Sequence, residues 1–326
     1  SVQVRNSEAL LHVFGDVTLS GNITQLGVGG TGSAVIDGNL TQKAGASTNI
    51  ENNSSVIVGG DFSSANSEVF VTGNSTLGVG NILTLTDSSN LKAENSSSVG
   101  VLGDFSSANS EVFVTGNSTL GIDNILTLTD SSNLKAENSS SVEVGGDFSS
   151  ENSEVAVTDK SSLAVNGNMT VSDAANAHIG KDSVLTVGKT FSVKDATLNI
   201  ENGKLLLSGE NSVLDLTSNG VLKTNTAGSV KIEKGAQVKS KTATLVSEDK
   251  TTTAEGVAEK TFDADALSKV SLVDFGETTL DEAKKLHSIL FTSDTGILDV
   301  AIKDEPSADD KGNVSFDDAI SASVSC

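Results

Sequence analysis

Three histidines, one cysteine, abundant serines and a few paired carboxylates are the groups in this sequence that could do chemistry, and their spacing decides what chemistry that would be. His12, His178 and His287 stand far apart and the lone Cys326 is terminal, which argues against a His/Cys metal site or a Cys–His nucleophilic pair. No Gly-x-Ser-x-Gly elbow activates any serine. The acidic pairs Asp304/Glu305, Asp309/Asp310 and Asp317/Asp318 could serve hydrolytic acid–base work or take Ca2+, and read more simply as a solvated acidic segment. Gly59-Gly60-Asp61 and Gly145-Gly146-Asp147 lie 86 residues apart, so they form no nonapeptide calcium repeat. Gly27, Gly29 and Gly32 spell Gly-x-Gly-x-x-Gly, but no helix pattern follows to complete a phosphate cradle, leaving a glycine-rich turn. No cofactor is expected, with Ca2+ as an unspecific ligand at most.

The elements that carry these residues are set by a repeat. Residues 51–93 return as residues 94–136 with five changes, and return more loosely from Glu137, a period of 43. Within it, short alternating pairs (Val56-x-Val58, Val69-x-Val71, Leu77-x-Val79, Leu91-x-Ala93) mark strands buried on one face, with Asn, Gly, Asp and Ser turns between them. Helical spacing is missing through about residue 245, and so many β-branched residues and glycines argue against a helical repeat. Each unit therefore reads as two coils of 21 or 22 residues with three short strands apiece. The fold class predicted is all-β: a right-handed parallel β-helix, or β-solenoid, with a small mixed C-terminal segment.

A turn motif tracks the coils, pairing Asp16-Val17, Asn39-Leu40, Asp61-Phe62, Asn81-Ile82, Asp104-Phe105, Asn124-Ile125, Asp147-Phe148 and Asn168-Met169. Stacked coils then place Asp61, Asn81, Asp104, Asn124 and Asp147 in one ladder where an amide separates each two carboxylates. The adjoining ladder alternates Phe62, Phe105 and Phe148 with Leu40, Ile82, Ile125 and Met169. A further ladder of Asn52, Asn74, Asn95, Asn117 and Asn138 is expected to satisfy its amides from coil to coil and to accept left-handed backbone angles. With Val69 and Val71 inward, Phe70 faces outward and Phe113 repeats it, roughly 10 Å away, as a candidate association patch; the third unit carries Ala156 there. Asn-x-Ser/Thr sequons recur along the chain, as the turns require in any case.

Charge narrows the partners. The net charge of −22 comes from 43 acidic against 21 basic residues, and Arg5 is the only arginine, so nucleic acid and anionic membrane surfaces are excluded as targets. No apolar run is long enough to insert in a bilayer, and Ser1-Val2-Gln3-Val4 lacks the regions of a signal peptide, which fits a mature or excised fragment as well as a cytosolic protein. The rod is expected over residues 1–245, clearest at 51–179 and looser beyond Phe191. Residues 246–326 read as a cap or linker, with one helix at about 280–290 after the capping box Thr279-Leu280-Asp281-Glu282.

The runs Ser-x-Val-x-Val-Gly-Gly-Asp-Phe and Asn-Ser-x-Leu-x-Val, set among Thr/Ser-rich strands over about residues 10–245, resemble the passenger regions of bacterial autotransporters and related filamentous adhesins. That resemblance implies export through an outer membrane and a rod that is secreted or displayed at the bacterial cell surface, without itself inserting in the membrane, and that adheres or aggregates. Its partners would be a host or bacterial surface glycan or protein, or further copies of itself. A nonenzymatic adhesin or stalk is the leading expectation, ahead of a self-assembling surface-layer or fibre subunit. A polysaccharide-active β-helix comes third, because the chain has no Trp or Tyr to line a sugar groove and its repeats offer no unique catalytic constellation.

Overall fold

The computed structural model describes residues 1–209, 212–218, 220–224, 229–232, 237–239, 242–247, 251–254, 262–263, 286–293, 296–302, 307–308, 314–315 and 320–325. They form two units, Ser1–Gly167 and Asn168–Cys326. Among the described residues there is no helix, and short strands joined by tight turns follow one another throughout.

In the first unit every third strand pairs with its successor, always in parallel, to give three sheets. Sheet A runs from β1 (Val2–Val4) through β4 (Gln25–Val28), β7 (Ser47–Ile50), β10 (Glu68–Thr72), β13 (Asn90–Glu94), β16 (Glu111–Val114) and β19 (Asn133–Ala136) to β22 (Glu154–Val157). Sheet B contains β8 (Ser55–Val58), β11 (Thr76–Val79), β14 (Ser98–Val101), β17 (Thr119–Ile122) and β20 (Ser141–Val144), and sheet C contains β9 (Phe62–Ala65), β12 (Leu83–Thr86), β15 (Phe105–Ala108), β18 (Leu126–Thr129) and β21 (Phe148–Glu151). One strand in each sheet per turn of chain makes this a parallel β-solenoid, as the alternation of apolar residues dictates.

The core is filled by stacked columns. Phe62, Leu83, Phe105, Leu126 and Phe148 stand in register on sheet C, each almost wholly buried, so large rings alternate with smaller side chains. This corrects the expected partners of the phenylalanines: Ile82 and Ile125 are 37% and 41% exposed, and the residues after them hold the core positions. The turn before β12 carries Gly80-Asn81-Ile82 where the turn before β9 carries Gly59-Gly60-Asp61, so Asn81 stands level with Gly60 and Ile82 with Asp61. The two turn types alternate, which a search on Asp/Asn alone reads as one ladder.

Serine closes the corners between sheets. Ser54, Ser75, Ser97, Ser118, Ser140 and Ser161 are buried one per coil, and successive backbone N–H groups donate to the next hydroxyl, as in Ser54 N to Ser75 Oγ (3.2 Å) and Ser140 N to Ser161 Oγ (3.0 Å). A second column, Ser67, Ser89, Ser110, Ser132 and Ser153, does the same at the corner leading into sheet A. Where a corner turns too sharply for in-register strands, these hydroxyls take the place of ladder partners for the corner N–H groups.

The second unit starts as a solenoid. Its strands β24 (Met169–Ser172), β27 (Thr190–Lys194), β30 (Val213–Ser218) and β33 (Gln237–Lys239) pair in parallel, with a register irregularity between Ser192 and Lys194. Antiparallel strands then take over: β41 (Ile320–Ser325) pairs with β32 (Ser229–Ile232), and β37 (Leu286–Ser293) lies between β34 (Thr242–Ser247) and β38 (Gly296–Ile302). The helix expected at 280–290 differs accordingly. Residues 280–285 lie outside the described residues, and Leu286–Leu290 belong to β37, where Ile289-Leu290-Phe291 with a facing strand ten residues on favours a hairpin over the helix start that the capping box suggested.

Candidate functional site

The outer face of sheet A carries the grouping with the most chemical content. Because side chains alternate along a strand, the buried residues Val69, Val71, Leu91, Val112, Val114 and Leu134 force their neighbours outward. Parallel register then aligns those neighbours into three columns. The middle column reads Asn49, Phe70, Lys92, Phe113, Lys135, Ala156. On one side Glu68, Asn90, Glu111, Asn133 and Glu154 alternate; on the other, Thr72 is paired with Glu94, and Glu51, Thr115 and Glu137 continue the line. In no column does one carboxylate lie directly on the next, so the repulsion that stacked glutamates would feel at ~4.8 Å is avoided by a two-coil alternation.

The two phenylalanines expected to form a patch are present, and a lysine stands between them. Lys92 Nζ lies 5.6 Å from the Phe70 ring centroid and 5.7 Å from that of Phe113, and Lys135 Nζ lies 5.6 Å from Phe113. Each contact at a half-exposed site contributes about 0.5–1 kcal/mol. His12 Nε2 pairs with Asp37 Oδ1 at 2.9 Å on another face, whereas Lys92 and Lys135 have the rings as their close partners and, among the described residues, no carboxylate within ion-pair distance. The sequence carried this signal, since Lys92 and Lys135 recur 43 residues apart, each 22 residues after a phenylalanine; as part of a net charge alone they do not show it.

Thr72 and Thr115 are short, and the space above each is a groove. One, of about 320 Å3, is walled by Phe70, Lys92, Asn49 and the carboxylates of Glu51 and Glu94; the other, of about 230 Å3, by Phe113, Lys92, Lys135, Glu94 and Glu137. They are the same groove repeated two coils on, sharing Lys92 and Glu94. Asn49 occupies in the first the place of a lysine in the second, and its Oδ1 is shielded from solvent without accepting a hydrogen bond.

The other expected ladders are placed as follows. Asn81 Nδ2 donates to Asp61 Oδ1 at 2.6 Å and Asn124 Nδ2 to Asp104 Oδ1 at 2.6 Å, so the Asp/Asn ladder becomes two diagonal clips, each joining a pair of coils, with Ile82 between Asp61 and Asp104. Asp147 precedes Phe148 in the position of Asp61 before Phe62. Asn74, Asn95 and Asn117 have φ of 58°, 57° and 61°, the left-handed turn geometry expected of them. Their amides are not stacked on one another: Asn95 Nδ2 donates to Thr72 Oγ1 at 3.0 Å, and Asn138 Nδ2 to Thr115 Oγ1 at 2.9 Å. Those bonds fix the threonines that floor the grooves.

Gly27, Gly29 and Gly32 form strand and turn, with the strand Ser33–Ile36 following and no helix. His12 packs on the Phe14 ring at 4.2 Å, while His178 lies in the second unit. Asp304, Glu305, Asp309, Asp310, Asp317 and Asp318 lie outside the described residues, and among those described no three His, Cys, Asp or Glu converge as a metal site.

Fold and face together define a parallel β-solenoid with a repeated lateral face. The chain matches no family model, and comparison with curated proteins and with solved structures gives no match.

Proposed function

We propose that this chain is a nonenzymatic stalk and adhesive segment, secreted or displayed at a bacterial cell surface, whose coils set reach and whose sheet A face makes the contacts. The observation that carries this reading is the pair of like grooves at Phe70 and Phe113, one per 43-residue unit. Repeated identical sites suit additive weak attachment, where linked contacts raise the overall affinity without any single strong one. Catalysis instead needs one unrepeated constellation. The likeness of the repeats to autotransporter passengers supports the surface location. Six glutamates against two lysines on this face (Glu51, Glu68, Glu94, Glu111, Glu137, Glu154; Lys92, Lys135) favour a foreign partner over a second copy, which would bring the same excess of negative charge.

Particles coated with the full chain should adhere to epithelial or bacterial cells above albumin-coated controls, and antibody should reach the protein on intact producing cells. Adhesion no better than albumin, with antibody access only after lysis, overturns the reading. Concentration-dependent self-association in sedimentation, without cell adhesion, would replace it by an assembly role.

A further inference from the structure

We infer that the sheet A face binds a basic, proline-rich segment of a partner protein in the polyproline II conformation, laid along the stacking direction with one turn of the segment per two coils. The inference rests on sheet A being the binding face, and it begins from a match of lengths. Two coils advance about 9.6 Å at the usual inter-strand distance. Three residues of polyproline II advance about 9.3 Å and complete one turn, so the segment shows three ridges, each repeating at that length. A peptide in this form therefore stays in step with Phe70 and Phe113 and with Glu51, Glu94 and Glu137, drifting about 0.3 Å per turn by the same figures.

Each ridge has a counterpart. Prolines on one ridge seat against the Phe70 and Phe113 rings over the threonine floors, the way aromatic grooves take such segments elsewhere. Arginine or lysine on the next ridge meets the glutamate column, which supplies the charge complementarity. The third ridge faces water. Polyproline II has no internal hydrogen bonds, so its carbonyls need donors. Lys92 and Lys135, held beside the rings and without carboxylate partners, are donors at the same repeat.

The test uses the full chain and fluorescein-labelled peptides followed by anisotropy. Four Arg-Pro-Pro repeats should bind at least about tenfold more tightly than four Arg-Gly-Gly repeats of equal charge, and Phe70→Ser with Phe113→Ser should remove most of the difference, as truncating a central aromatic anchor does. Glu94→Gln and Glu137→Gln, nearly isosteric and half-exposed, should weaken binding with the melting temperature unchanged; they keep the test decisive if the phenylalanine variants fold poorly. Equal affinity for the flexible peptide overturns the inference, because charge alone would then suffice. So does a linear neutral oligosaccharide binding where the Arg-Pro-Pro peptide does not. Cell adhesion retained without peptide binding would end this inference and leave the adhesive reading standing.

Discussion

The outer faces of sheets A and B lie on the same coils, yet they are built to opposite ends. On sheet A the middle column carries Phe70, Lys92, Phe113 and Lys135; on sheet B the column in the same position of each strand reads Ile57, Gly78, Gly100, Gly121, Glu143. A Cβ at Gly100 or Gly121 would meet no atom within 4 Å, so close backbone approach does not demand glycine there. Glycine in a strand interior costs stability, and at these positions nothing in the fold repays it. Identical inward patterns thus fix the solenoid, while the outward residues vary free of the fold. A rich outer column is then evidence about contact, and a bare one is not evidence of strain.

The strongest way to break this contrast is to remove what both faces rest on. Phe105→Ala opens the sheet C column between Leu83 and Leu126 and should cost about 3–5 kcal/mol in urea unfolding, disturbing either face alike. A loss below ~1 kcal/mol would mean that the column is not close-packed. Next in size is the clip at the turn into sheet C. Asn81→Asp replaces a donor 2.6 Å from Asp61 by a second carboxylate, and should destabilise by about 1–3 kcal/mol at pH 7. Like charge raises a carboxyl's pKa in the folded state, so the penalty is complete above that raised value and vanishes as pH falls below ~4, the unfolded range. Equal destabilisation at pH 7 and pH 3 would refute the contact.

Smaller effects separate the faces by sign. Lys92→Gln removes two ring contacts and should lower stability by about 1 kcal/mol, with no change if the ammonium is merely solvated. Gly100→Thr, on an open strand position, should instead raise it by about 0.5–1 kcal/mol. Destabilisation there would show that the bare stripe is required by the fold. Gly103 offers the contrast within one coil, because its Cβ would run into the Asn81 carbonyl oxygen.

Period-two alternation and the 43-residue unit made the three-strand coils legible, because burial on one face leaves no other reading of Val-x-Val at such spacing. Phe62, Phe105 and Phe148 were legible as core for the same reason. Register at the turns was harder to see. Asp61-Phe62 and Asn81-Ile82 look equivalent as residue types, and only backbone pairing shows the second shifted by one. The serine columns escaped notice although Ser54, Ser75, Ser97 and Ser118 recur every 21 or 22 residues, since serine in turns is too common to mark a buried hydroxyl. Lys92 between two rings needed the register of three strands at once. At 280–290 a local capping signal competed with long-range strand pairing, and over residues 286–290 the pairing prevailed.

The diagonal clips from Asn81 to Asp61 and from Asn124 to Asp104 bind coils two by two, and the outer columns of sheet A keep the same beat. Removing one coil would set Glu68 against Glu111 and Phe70 against Phe113, whereas removing residues 51–93 joins Ile50 to Glu94 and leaves all but five positions of the following unit replaced by their like. Length in this protein is therefore quantised: a gene that gains or loses repeats by unequal exchange can do so cleanly only in double steps, and a solenoid of odd count would advertise the mistake in its stability.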